Sequence, residues 1–158
     1  MKKIITGALI LSALAFIAGC KKKSTGNPVP EITFLSMTPQ TLRGGSSEDT
    51  LFLAFRFSDG DGDLGNPYTG GNYDIYLIDS RDSLASGYYF PEIPEEYKDP
   101  YEGIKGTTTL ILPGTYILPR QDSLHLEQGD TLQYEVYIQD RAGHESNRFT
   151  TPTIYLLP

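Results

Sequence analysis

Cysteine is nearly absent from this chain: Cys20 stands alone, so no intramolecular disulfide can form and the fold must hold through its core. Tryptophan is missing, and there are only two histidines, His125 and His144. No Gly-x-Ser-x-Gly elbow or His-Glu-x-x-His helix accompanies them, and nothing supplies a third ligand or a nucleophile, so no enzyme is expected. The carboxylates are too numerous to single out a glycosidase pair. His125 alternates with Leu124 and Leu126, which predicts a solvent-facing side chain, and His144 falls in a predicted turn. Positive charge is also scarce. From Ser24 onward 8 basic residues face 20 acidic ones, a net of −12. Such a surface repels polyphosphate backbones and attracts cations, so nucleic acid is not an expected partner.

The missing positive charge is concentrated in the first 23 residues. Lys2 and Lys3 precede an apolar run over residues 4–18, which ends in Ile17, Ala18, Gly19 and Cys20. That is a signal-peptide layout, and the run is shorter than the ~20 residues a spanning helix needs. The tetrapeptide resembles the lipobox of bacterial lipoproteins, in which small residues expose the backbone to a peptidase and a thiol accepts diacylglycerol. The resemblance implies cleavage after residue 19 and a membrane anchor formed by the acyl chains on Cys20. Each buried methylene contributes ~0.8 kcal/mol, so two or three chains hold firmly where one would not. Residues 20–30, CKKKSTGNPVP, show neither strand nor helix periodicity and read as a flexible tether. Its ten residues after the cysteine span at most about 35 Å.

Residues 31–158 read as one domain. Short β-type runs alternate with Gly, Pro, Asn and Asp, which predicts an all-β sandwich. In residues 132–138, Leu132, Tyr134, Val136 and Ile138 share one face, while Gln133, Glu135 and Tyr137 share the other. Residues 51–57 place Leu51, Leu53, Phe55 and Phe57 inward in the same way. Further strands are predicted at 32–37, 73–79, 87–90, 107–112 and 149–156. That makes about seven, the number in an antiparallel immunoglobulin-like sandwich. The stretch GDTLQYEVYIQDRAGHESN, residues 129–147, resembles the F strand and F–G turn of fibronectin type III and related bacterial immunoglobulin-like domains. By that resemblance Tyr134 is the buried F-strand tyrosine. The chain departs from those families by lacking their core tryptophan and by a long segment before the E strand.

Ser58-Asp59-Gly60-Asp61-Gly62-Asp63-Leu64-Gly65-Asn66 follows the second strand and sets three carboxylates at alternate positions. Hard oxygen ligands at this spacing suit Ca²⁺, which takes 6–8 oxygens at ~2.3–2.6 Å. The helix-loop-helix calcium motif is not matched, since its sixth position is Leu64 and its twelfth is Gly70. In a sandwich the B–C and F–G loops share a pole, which brings Asp140 within reach as a fourth ligand. Asp79 and Asp82 fall at the opposite pole. Asp and Gly are also strong turn formers with no ion involved, and that alternative stands beside the first.

Tyr88, Tyr89, Tyr97 and Tyr101 lie in an aromatic loop, residues 86–105, punctuated by Pro91, Pro94 and Pro100. Exposed, they would stack on a glycan or grip a peptide or protein; otherwise they pack back over the sandwich edge. Taken whole, lipobox, tether, Asp-Gly loop and single sandwich resemble the small Bacteroidetes-type lipoproteins with one immunoglobulin-like domain. The resemblance implies an outer-membrane anchor and a structural or protein-interaction module of the cell envelope. Lys21, Lys22 and Lys23 stand where surface-displayed members carry acidic residues, which points to the periplasmic side, with the cell surface as the alternative.

Overall fold

Alternation of apolar and polar residues dictates the strands, and the inward-facing sets find each other across two layers. The computed structural model describes residues 26–65 and 72–158. The leader, Cys20 and Lys21 to Lys23 lie outside the described residues. One layer is a three-stranded sheet in which β3 (Thr50–Asp59) lies between β1 (Glu31–Thr38) and β6 (Ile104–Pro113), antiparallel to both. The other is built on β4 (Ile75–Asp79), which pairs with β5 (Ala85–Tyr88) on one side and β8 (Tyr134–Ile138) on the other. A short β9 (Phe149–Thr150) completes that sheet beside β8.

Two of the predicted strands are broken. The run 132–138 divides into β7 (Asp130–Leu132) and β8, and the last one into β9 and β10 (Ile154–Leu157). At the break, the Thr151 hydroxyl accepts the Tyr134 N–H at 2.9 Å and the Tyr134 carbonyl accepts the Thr151 N–H at 2.9 Å. The backbone groups freed by the break are thereby satisfied. β10 then pairs with β7 and, in parallel, with β2 (Thr41–Arg43). Pairing of β1 with β3 stops at Thr38, where Pro39 has no N–H to donate, and the chain crosses to the other layer as β2. With β1 and β2, β7 and β8, and β9 and β10 each counted as one broken strand, the chain is an immunoglobulin-like antiparallel sandwich of seven strands. β5 pairs with β4 rather than with β6, so the hydrogen-bonded orders are β1-β3-β6, β5-β4-β8-β9 and a smaller β2-β10-β7.

Leu51, Leu53, Phe55 and Phe57 of β3 are all buried, as are Leu132, Tyr134, Val136 and Ile138. Phe149 bridges Phe34 and Phe55, with ring centroids 5.6 and 5.9 Å away, so two half-buried phenylalanines cover the fully buried Phe55 in a core with no tryptophan. Tyr134 is buried, and burial raises its hydroxyl above the ordinary tyrosine range. Asn147 ties the layers at the edge: its Oδ1 accepts from the Ile32 N–H at 2.8 Å and its Nδ2 donates to the Ile32 carbonyl at 2.9 Å.

His125, expected to face solvent, lies in a short helix, α1 (Ser123–Gln128), with its side chain 23% exposed. Asp122 caps the helix by accepting the His125 N–H at 3.1 Å, and its carboxylate also meets the His125 Nδ1 at 2.6 Å. The Asp122 cap is the sequence signal for this helix.

Asp130 organises the end of the sandwich where α1 lies. Its buried carboxylate accepts from Arg81 Nη1 at 2.8 Å, from Arg120 Nη2 at 2.9 Å, and from the Arg120 and Thr131 backbone N–H groups. Arg81 also grips Asp79, at 2.7 Å. Burial alone would raise the Asp130 pKa, but these donors and cations hold it well below the ordinary carboxylate range. A depressed pKa contributes stability that is fully present above about pH 4 and fades as the pH falls. Asp130→Asn is expected to cost about 3 kcal/mol at pH 7 by leaving Arg81 without its buried partner. Urea unfolding across pH checks this: the gap between variant and wild type should narrow as the pH drops below about 4, and a gap independent of pH would contradict the ion-pair account.

Candidate metal centre

β3 and β8 run in the same direction, so the loops that follow them meet at one end of the sandwich. Asp59 is the last residue of β3, directly opposite Ile104 of β6, and it is only 1% exposed. Asp140 follows β8 and is also buried. Between them the Asp-Gly loop folds back. The Leu64 N–H donates to Asp59 Oδ2 at 2.9 Å, and the Leu64 side chain plugs into the core. Gly62 takes φ 72°, a left-handed conformation that lets the chain reverse between Asp61 and Asp63.

The outcome is convergence. Asp59, Asp61, Asp63 and Asp140 each offer a carboxylate oxygen, and these oxygens all lie within 4.8 Å of one another. Oxygens bound to one Ca²⁺ at ~2.4 Å cannot be more than ~4.8 Å apart, so the four fit a single calcium coordination sphere. Asp59 Oδ1 and Asp63 Oδ1 are buried and, among the described residues, have no hydrogen-bond partner. Buried carboxylate oxygens normally have one, so these two are positioned as acceptors with nothing to accept from. Local turn chemistry explains Asp59 Oδ2 but not these two atoms.

The electrostatics agree. Burial, together with the neighbouring Asp61 and Asp63 carboxylates, pushes Asp59 up to about 6. Asp63 is raised by burial and by Asp140 and Asp61. Both groups are disfavoured as anions first by burial and then by their carboxylate neighbours, a cost that a divalent cation would lower.

Two further residues frame the site. Arg141 Nε donates to the Asp63 backbone carbonyl at 2.7 Å, pinning the Asp-Gly loop to the loop after β8. His144 donates its backbone N–H to Asp140 Oδ1 at 2.8 Å, and its ring Nδ1 lies 2.8 Å from Asp140 Oδ2. That carboxylate raises the His144 pKa. Sequence reasoning put His144 in this turn but missed its partner, although the four-residue spacing from Asp140 was the available signal. His125 sits at the far end of the sandwich, so the two histidines do not meet. Asp79 and Asp82 also lie at that far end, beside Arg81.

The aromatic loop divides. Tyr88 packs against the core, Tyr89 lies against Tyr73 with centroids 4.8 Å apart, and Phe90 meets Phe57 edge-on at 4.7 Å. Tyr97 and Tyr101 remain exposed, at 71% and 50%.

No known protein family matches the sequence, and no curated protein is similar to it. Among solved structures, the chain is similar to the PKD domain of an M14-like peptidase from a Thermoplasmatales archaeon. Identity is 15% and the TM-score 0.36, covering 82% of this chain and 94% of that one. The immunoglobulin-like assignment rests on the strand order above.

Asp59→Asn keeps an oxygen for the Leu64 N–H and removes one charge from the cluster. In the presence of a chelator at pH 7 it is expected to raise stability by about 2 kcal/mol, since the charged form is disfavoured in the fold. Urea unfolding measures this, and a loss of stability would show that the carboxylates are not in conflict.

Proposed function

We propose that this protein is an outer-membrane lipoprotein, anchored through acylated Cys20 and facing the periplasm. Its immunoglobulin-like domain serves as a structural or protein-interaction module of the cell envelope, with one pole stiffened by Ca²⁺. The leader layout supports the anchor, and the resemblance to Bacteroidetes-type lipoproteins supports the setting. The observation that carries the calcium reading is the convergence of four carboxylates with two buried, unpartnered oxygens.

The ion would be held by Asp59, Asp61, Asp63 and Asp140, and it would cross-link the loops after β3 and β8. Asp59 ends a central core strand, so the stiffening would reach the core directly. The affinity expected of an extracytoplasmic site is micromolar to millimolar. Of the four tyrosines considered as a ligand platform, Tyr88 and Tyr89 are engaged in packing, which favours the module over a glycan or peptide receptor.

Calorimetry and thermal melts with CaCl₂ test the metal. At about 100-fold excess over Kd the domain should gain about 2.7 kcal/mol, a rise in Tm of roughly 10 °C. Absence of both heat and a Tm shift would overturn calcium binding. Mass spectrometry of the protein produced in its native envelope tests the anchor. The expected product begins at Cys20 with diacylglycerol on sulfur; an unmodified thiol still joined to residues 1–19 would overturn the location.

A further inference from the structure

The chain enters the domain at the carboxylate pole and is fastened there. Asn27 accepts the Gly60 N–H through its carbonyl at 2.9 Å, and Gly60 lies between Asp59 and Asp61. Gly26 and Gly60 are pressed together so closely that a Cβ on Gly26 would stand 2.6 Å from the Gly60 carbonyl oxygen. Pro30 is buried. Residues 26–30, which read as tether in the sequence, are therefore laid against the domain, and the free reach is shorter than the tether's length suggests. From Cys20 to Gly26 are six residue steps, about 20 Å at full extension.

The exposed tyrosines share this pole. They lie in the connection from Tyr88, the end of β5 opposite Ile75, to Ile104, the start of β6 opposite Asp59. Tyr101 also lines an open cleft of about 420 Å³ with Gly26, Val29 and Lys105, so the entering chain and the tyrosine loop form one surface. Tyrosine rings with an apolar body and a polar tip are the side chains that settle at the headgroup level of a bilayer. The opposite end of β3, ten residues away, is about 30 Å further off.

We infer that this pole is the face turned to the anchoring bilayer, with Tyr97 and Tyr101 resting among the phospholipid headgroups. The inference depends on the lipid anchor proposed above. It also places the carboxylate site near the membrane surface, where a bound divalent cation lowers the repulsion between an acidic pole and lipid phosphates.

The absence of tryptophan makes a clean test possible. Tyr97→Trp and Tyr101→Trp each give the full-length protein a single tryptophan at this pole. Tyr116→Trp gives one at the far end, where Tyr116 is 78% exposed just beyond β6. Each protein, made with its own leader, is reconstituted with Ca²⁺ into vesicles of phosphatidylethanolamine with some phosphatidylglycerol and brominated lipid. Blue-shifted emission and several-fold stronger quenching are expected for Tyr97→Trp and Tyr101→Trp than for Tyr116→Trp. Equal quenching at the two ends, stronger quenching at the far end, or none at any position would overturn the orientation. If one pole variant fails to fold, as read by its melt, the other carries the comparison. Intact mass of the same sample reads acylation separately. A sample lacking it sinks the anchor proposal, and orientation is then read after coupling the Cys20 thiol to a maleimide lipid.

Discussion

A buried carboxylate at the end of the central strand β3 constrains everything around it. Asp59 cannot turn to water, because it continues the inward face set by Leu51, Leu53, Phe55 and Phe57. It satisfies one oxygen with the Leu64 N–H, which requires the loop to fold back at once and lets Leu64 enter the core. The same reversal carries Asp61 and Asp63 over Asp59. The second oxygen is left facing three other carboxylates, so the geometry of the loop and the electrostatic tension within it share one cause.

The other end of the sandwich handles the same chemistry differently. Asp130 is as buried as Asp59, yet two guanidinium groups and two backbone N–H groups surround it, and its pKa falls where that of Asp59 rises. At the Asp59 pole the neighbouring Arg141 donates to a backbone carbonyl rather than to the cluster. One pole carries its own cations within the chain. The other gathers four carboxylates, two of whose buried oxygens have no hydrogen-bond partner among the described residues.

The chain enters at the pole where the carboxylates converge. Gly60, the residue that admits Asn27, sits inside the acidic loop, so the start of the domain and the candidate ion site are parts of one small piece of structure. At the opposite end Asp130, Arg81 and Arg120 form a satisfied ionic cluster and Tyr116 is exposed. The outer face of the β4 and β8 sheet carries the stacked Tyr76 and Tyr137, with Arg148 over the latter.

Strand identity was legible in the sequence, because a period of two in 51–57 and 132–138 leaves only one way to bury the apolar side chains. The three alternating carboxylates of the loop were equally plain. The helix at His125 was not legible, since a six-residue element shows too few turns to establish a helical period. Which sheet receives β5, which tyrosines are covered, and the clasp between Asn27 and Gly60 are settled by neighbours distant in the chain. The sequence by itself determined an acidic all-β domain with a carboxylate-bearing loop, because those properties depend on residues adjacent in the chain. Only the tertiary structure decided that Asp140 closes the cluster and that two oxygens are buried without partners, because both require strands far apart in sequence to end side by side.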